Sequence, residues 1–383
     1  MNVHFTEEQK MLQQAFREFA EEYLAPNAAK WDEDHSCPSE LFPVVGELGV
    51  LGIFVPEEYG GVGLGHVERI IAMEEFGKAS AGFTTFLFAH QLAVGAMVDF
   101  ASEEQKKQYL PGMCDGTAIW SLAVTEPGGG TDLYNHKVTA EKDGDDYIIN
   151  GRKCFLTNSH NCDYCIVTAK TGVDAKGHNV LSAFIVPMDN PGIKPGRLEN
   201  KSGMRGSLTG DMILTNCRVP ASAMLGADGQ GAKIALKEIG EIGRASMSAI
   251  CVGIMKGCIE EGVKFANDRI IYGKPLAKIQ AIQWHIAEMR LNYEIGRALI
   301  YRAACYKDEG QATTLWNGMA KLFATRAAVE SAQHCIELMG GYGVITEYPV
   351  DRYMRDALAA ISPGGTNEVH KMVIAADTLK KFA

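Results

Sequence analysis

A chain of 383 residues, 46% of them hydrophobic and 22% charged, is longer than one compact core usually grows and has the composition of a folded protein, not a disordered one. Its formal net charge of −10 offers no basic footprint for nucleic acid or for an anionic bilayer. Ten cysteines in a chain this long are too sparse for a disulfide framework and point to a reducing compartment.

The opening residues Met1 to Glu8 contain neither a basic n-region nor an apolar h-region, so no signal peptide is expected and a cytoplasmic location follows. No stretch of roughly 18 uncharged apolar residues stands out, so no membrane insertion is expected. Thr6, with Gln9 three residues on, has capping-box spacing, and Met11, Leu12, Phe16 and Phe19 then form an apolar stripe at helical period. The helical texture continues to about Asp115, broken by a turn at Pro56 to Gly61.

Near residue 118 the pattern turns to strands. Tyr147 to Lys153 reads as a strand ending in a turn at Asn150-Gly151. Cys165 to Ala169, Ser182 to Val186 and Met212 to Leu214 read as further strands, with Pro220 closing the region. From about Ala232 the chain is helical again, with periodic runs at Ala281 to Tyr306 and Thr313 to Met339, the latter stopped by Gly340-Gly341. Helices, then strands, then helices make an α+β protein. The boundaries expected are 1–117 for an N-terminal α-helical domain, 118–228 for a middle β-barrel or sheet domain, and 229–383 for a C-terminal four-helix bundle. The βαβ alternation of a dinucleotide-binding sheet is missing.

Generic motifs are scarce. Gly128, Gly129 and Gly130 do not make G-x-G-x-x-G, and no Walker A sequence or G-x-S-x-G elbow occurs. Cys162 and Cys165 form one C-x-x-C without a partner pair at zinc spacing, so they read as two ordinary thiols and no metal is expected.

Four ordered segments carry more. Leu122-Ala123-Val124-Thr125-Glu126-Pro127-Gly128-Gly129-Gly130-Thr131-Asp132 resembles the first signature of the acyl-CoA dehydrogenases. Asn150 to Asn158 and Arg269 to Leu276 follow in that family's order. Met339 to Gly343, Arg355-Asp356 and Gly365-Thr366-Asn367-Glu368 resemble its C-terminal signature. The similarity runs from Thr6 to the C-terminus.

The resemblance implies a bound FAD. An isoalloxazine ring is a flat apolar plate with a polar edge that must accept negative charge on reduction. Leu122, Val124, Thr125 and Thr157 are implied at that edge. Phe155 is implied as an aromatic wall, and Gly130 and Thr131 as a backbone that can approach a pyrophosphate or pantetheine. Arg269 and Gln280 are implied to reach the flavin's pyrophosphate and adenine in a neighbouring subunit, with Glu337, Gly340 and Gly341 meeting them from the other side. Thr366 and Glu368 are implied on the flavin side as well. A shared site implies a homo-oligomer, with a tetramer expected. Thr131, Glu241, Arg244 and Gly365 are implied to meet the acyl-CoA. An electron-transferring flavoprotein or a similar acceptor is the implied redox partner.

The family's reaction needs a carboxylate to remove an α-proton while hydride leaves the β-carbon, because an α-C–H is too weak an acid to ionise unaided. Counting from Arg355, the family's base position falls on Gly364. The alternative helix position, before an arginine, falls on Gly243. Glycine cannot take a proton. His90 is the first candidate for a replacement and Glu241 a weaker one. The reading is therefore an FAD-dependent oxidoreductase of the CH–CH group of an acyl-CoA or acyl-carrier thioester with an atypical base. The alternatives are a flavin-containing lyase (desulfination, decarboxylation or β-elimination) or an enoyl-CoA reductase.

Overall fold

The structure, a computed structural model, describes residues 5–382. Helices come first: α1 (Glu7–Phe19), α2 (Ala28–Glu33), α3 (Phe42–Glu47), α4 (His66–Ala79), α5 (Ala81–Phe100) and α6 (Glu103–Cys114). The Thr6–Gln9 capping box is formed in both directions, satisfying backbone donors at the start of α1. Phe16 and Phe19 are buried as the stripe requires, but Met11 is 73% exposed and lies outside it.

The strands β1 (Trp120–Ala123), β2 (Thr139–Asp143), β3 (Asp146–Thr157), β4 (Tyr164–Val173), β5 (Asn179–Pro187), β6 (Ile193–Leu198), β7 (Thr209–Pro220) and β8 (Met224–Leu225) form one sheet. Its order is β6-β7-β3-β2-β4-β5-β8, with β1 parallel to β4. Asn150-Gly151 is not the expected turn. β3 runs straight through it, with a register shift against β7 between Ile149 and Gly151. Gly151 sits at φ 139°, where a Cβ would meet Val138 at 2.8 Å, so the glycine marks a bulge. The hairpin turn lies upstream at Gly144 (φ 62°), between the antiparallel β2 and β3.

The second helical region comprises α7 (Gly231–Glu238), α8 (Arg244–Asp268), α9 (Gln280–Asp308), α10 (Thr314–Met339), α11 (Val350–Ala359) and α12 (Asn367–Phe382). A π turn, Ile239–Gly243, joins α7 to α8 without a break. Helix α4 lies close against α8, because Gly77 and Gly253 let the two backbones approach: a Cβ on Gly253 would stand 2.5 Å from the Glu74 carbonyl oxygen. Phe16, Phe76 and Phe83 from the first region share one apolar core with Ile250, Met289 and Ala324 from the last.

Contrary to the sequence expectation, Ala81–Phe100 and Gly231–Asp268 are each long and apolar enough to cross a membrane by length and composition. In both, 89% of the apolar window is buried inside the protein, so these helices serve as core. All ten cysteines are unpaired.

Candidate active site

The end of β1, the end of β3 and helix α5 are tied at one point. Asn158, fully buried and at φ 69°, donates to the Phe86 carbonyl (3.1 Å) and the Trp120 carbonyl (3.3 Å). Ser121 Oγ donates to the Thr157 carbonyl at 2.6 Å, and the Cys154 N–H to the Thr125 carbonyl at 2.9 Å. Leu122 and Val124 are buried beside them. Between Lys153 and Leu156 the β3–β7 register shifts again. The backbone of Phe155 takes φ 52° there, and its ring is left 65% exposed. Bulges re-aim side chains in this way. Thr125 and Thr157 are half-buried, and their hydroxyls find no partner among the described residues.

The loop after Thr125 is anchored from beneath. Glu126 is buried and accepts from Lys153 Nζ at 2.8 Å, from the Lys137 N–H and from the Val138 N–H at 3.2 Å. Lys153 is fully buried and also donates to the Val124 carbonyl at 2.9 Å. Gly130 packs on Thr125, where a Cβ would stand 2.9 Å from Oγ1. Gly128, Gly129 and Thr131 are exposed. An exposed aromatic face, two free hydroxyls and an open glycine loop fit a planar ligand with a phosphate tail.

Gly364 and Gly243, the two glycines at the expected base positions, come close together. A Cβ on Gly364 (φ 74°) would lie 3.7 Å from both the Gly243 carbonyl carbon and the Arg244 backbone nitrogen. Arg244 is 8% exposed and has no carboxylate partner among the described residues; its Nε donates to the Gly364 carbonyl at 3.4 Å. Lys321, fully buried, donates to the Gly365 carbonyl at 2.8 Å, and His370 Nε2 lies 3.0 Å from the same oxygen. Burial lowers Lys321 to about 8 and His370 to about 4.

His90 does not fill the gap. Its ring is fully buried, and Nδ1 accepts the Trp120 N–H at 3.0 Å. Nε2 therefore carries the proton, which it donates to the Met113 carbonyl at 3.0 Å. Phe42 packs edge-on against the ring, and burial pulls its pKa down to about 4. With both nitrogens spent on backbone, His90 joins α5, α6 and β1 and cannot serve as the base. Glu241 is ion-paired with Lys307 of α9, which leaves it no free carboxylate to act as the base.

The remaining residues lie toward opposite ends of α10: Glu337, Gly340 and Gly341 at its C-terminal end, and Thr366 and Glu368 beside Gly365, which Lys321 binds. Arg269 and Gln280 are exposed, and the Arg269 guanidinium stacks 5.6 Å from the Tyr342 ring. Arg269 and the stretch after α10 are thus neighbours within one chain, rather than meeting only from opposite sides. Glu337 accepts from Gln333 Nε2 at 2.9 Å, and its Oε2 lies 3.7 Å from His285 Nδ1. His285 and His334 bring their Nδ1 atoms to 3.0 Å, a contact invisible in a sequence that separates them by 49 positions. Gly340 (φ 60°) and Gly341 have open space where a Cβ would be. Thr366 and Glu368 are exposed where α12 begins, Glu368 pairing with Lys371 at 3.5 Å. Sequence inspection gave Asn158 no role although it closes the Asn150 to Asn158 segment, and it missed the buried carboxyl of Glu238, which stands in no recognisable motif.

Three family models cover the chain in order: acyl-CoA dehydrogenase N-terminal domain over residues 6–117, middle domain over 121–217 and C-terminal domain over 229–379. The chain belongs to the acyl-CoA dehydrogenase family. Among characterised acyl-CoA dehydrogenase relatives, an acryloyl-CoA reductase (NADH) of Anaerotignum propionicum is 38% identical over all of this chain and 97% of its own length. The structure of butyryl-CoA dehydrogenase from Megasphaera elsdenii matches with TM-score 0.96 and 34% identity, covering 99% of this chain and 100% of that one. The FAD complex of PigA matches with TM-score 0.92 and 28% identity, covering 98% and 99%.

Proposed function

We propose that this acyl-CoA dehydrogenase family member is an FAD-dependent oxidoreductase acting on the CH–CH group of a CoA or carrier-protein thioester, without a carboxylate at either family base position. The observation that carries the reading is the close packing of Gly364 on Gly243, with Arg244, which has no carboxylate partner among the described residues, beside them. Family membership and the FAD complex of PigA support the cofactor. Leu122, Val124, Thr125, Phe155 and Thr157 would hold the ring, and Gly130 and Thr131 the adjoining backbone. Arg269, Gln280, Glu337, Gly340 and Gly341 would hold the pyrophosphate and adenine across a homo-oligomer, a tetramer by family resemblance, with Thr366 and Glu368 on the flavin side. Bound FAD would supply two-electron chemistry, exchanged with an electron-transferring flavoprotein or a similar partner. Thr131, Glu241, Arg244 and Gly365 would meet the thioester.

A second reading, reduction of an enoyl thioester, is favoured by the similarity to an acryloyl-CoA reductase. Reduction asks the protein to give an α-proton, not to take one.

Anaerobic titration of the flavin-loaded protein tests both. Butyryl-CoA should bind yet bleach the flavin absorbance slowly, and crotonyl-CoA should reoxidise the reduced protein. Rapid bleaching by butyryl-CoA would show a base at work and sink the proposal. Product formation with no electron donor or acceptor present would indicate a lyase instead.

A further inference from the structure

Glu238 is the last residue of α7, immediately before the π turn. It is 1% exposed, and its Oε1 has no hydrogen-bond partner. A buried carboxyl without a partner costs stability, and the surroundings are built to admit one. On α5 the residue opposite is Gly95, where a Cβ would stand 2.2 Å from Glu238 Oε2. The carboxyl occupies the room that any other side chain at position 95 would take. A cavity of about 90 Å³ opens against it, lined among others by Gly95, Asp99, Glu241, Ile242 and Lys307.

The π turn places this carboxyl on the face of the missing base. Its i→i+5 bond, from the Arg244 N–H to the Ile239 carbonyl, adds a residue to the turn. Glu238 and Gly243, five apart, therefore both look toward α5. A Cβ on Gly243 would touch Leu92 at 3.4 Å. Gly95, which Glu238 touches, is three residues further along α5, about 4.5 Å. Glutamate and glycine face the same helix one turn apart, and the cavity opens at the glutamate, reaching Glu241 and Ile242 of the π turn.

The charged neighbours are otherwise occupied. Lys237 pairs with Asp99 at 2.6 Å, and Lys307 with Glu241. From α4, Arg69 bonds to Ser246 Oγ at 2.6 Å and to His66 Nδ1 at 3.2 Å. Asp308 of α9 accepts from the His66 and Val67 N–H groups at 2.6 and 3.0 Å. Desolvation first, then the nearby Asp99 charge, raises the Glu238 pKa well above the ordinary carboxyl range. Its surroundings favour the protonated form, so the carboxyl can hold a proton and exchange it with a neighbouring group.

Resting on the reading that neither family base position carries a carboxylate, we propose that Glu238 is the proton reservoir for the α-carbon of the thioester, acting through water held in the cavity between α5 and the π turn. In the reductive direction the Glu238 O–H bond breaks, a bridging water relays the proton, and a C–H bond forms at the α-carbon. Bound, reduced FAD would supply the hydride for the β-carbon, and the carboxylate recovers its proton from solvent.

The test uses the flavin-loaded full chain and its Glu238→Gln variant, which keeps shape and removes the acid. Infrared difference spectra on adding crotonyl-CoA at pH 7 should show the carbonyl band of a protonated carboxyl that is absent in the variant. Exchange of α-deuterium from bound butyryl-CoA into water, followed by mass spectrometry, should fall at least about 100-fold. Flavin content and melting temperature should hold. Gly95→Ala, which drives a methyl onto Oε2, should slow exchange in the same assay. Unchanged exchange in Glu238→Gln, with the band gone, overturns the assignment while leaving the proposed function intact. A wild-type flavin that responds to neither acyl nor enoyl thioester overturns the proposed function, and this assignment with it.

Discussion

Gly364 packs on the Gly243–Arg244 backbone: a Cβ on Gly364 would lie 3.7 Å from the Gly243 carbonyl carbon, whereas a Cβ on Gly243 would point to Leu92. The two positions are nevertheless unequal hosts for a carboxylate. Gly364 sits at φ 74°, where a side chain costs about 1–2 kcal/mol. Gly243 is helical at φ −63°, and its Cβ would meet the flexible end of Leu92 at 3.4 Å and the Glu238 carbonyl oxygen at an ordinary 3.8 Å. Gly243→Glu should therefore fold normally and raise the rate of flavin reduction by butyryl-CoA roughly 10²–10⁴-fold. Gly364→Glu should lose stability and gain less. Stopped-flow absorbance and thermal melts on both variants decide this, and an unchanged rate in Gly243→Glu would count against the geometry.

His90 should matter to folding and not to chemistry. His90→Ala leaves the Trp120 N–H and the Met113 carbonyl unpaired and opens a cavity, at a cost of about 2–4 kcal/mol. Because its folded pKa, about 4, lies below the ordinary 6.5, the ring contributes stability that is full above pH 6.5. That contribution declines as the pH falls toward 4. The melting-temperature deficit of His90→Ala should thus be largest at pH 7 and shrink in acid. A deficit that grows in acid would reverse the sign and show that the buried ring is not held neutral.

The buried pair Glu126–Lys153 fastens the loop that carries Gly128 to Thr131. Removing one partner leaves the other charged and unpaired, so Lys153→Met should cost about 3–5 kcal/mol and loosen flavin binding. Glu126→Gln together with Lys153→Met should recover part of that loss. Urea denaturation of the single and double variants supplies the comparison, and strict additivity would exclude the coupling.

Arg269 is exposed, and its only aromatic or ionic contact among the described residues is Tyr342. If it grips the diphosphate of a flavin in a neighbouring subunit, Arg269→Ala should lose FAD while the apoprotein melts as before. The wild type should carry about one FAD per chain, as the family resemblance implies. Flavin-to-protein absorbance ratio and size-exclusion chromatography measure both. Full flavin content in a monomeric Arg269→Ala protein would contradict a shared site.

Local chemistry made much of this molecule readable from its residues. The capping box at Thr6, the long periodicities of α9 and α10, and the order of the four signature segments depend on neighbours in sequence, and the fold follows them. The glycines at 364 and 243 were readable for the same reason, since a missing side chain needs no tertiary context. The Asn150-Gly151 pair misled, because pairing with β7 converts a turn signal into a bulge. His90 misled because a single helix cannot show that Met113 and Trp120 occupy its two nitrogens. Only the tertiary structure joins the first and last helical regions into one core across the intervening sheet, and only it places Glu238 against Gly95. Periodicity reports which face of a helix is apolar. What a buried polar atom meets there is set by elements far away in the chain.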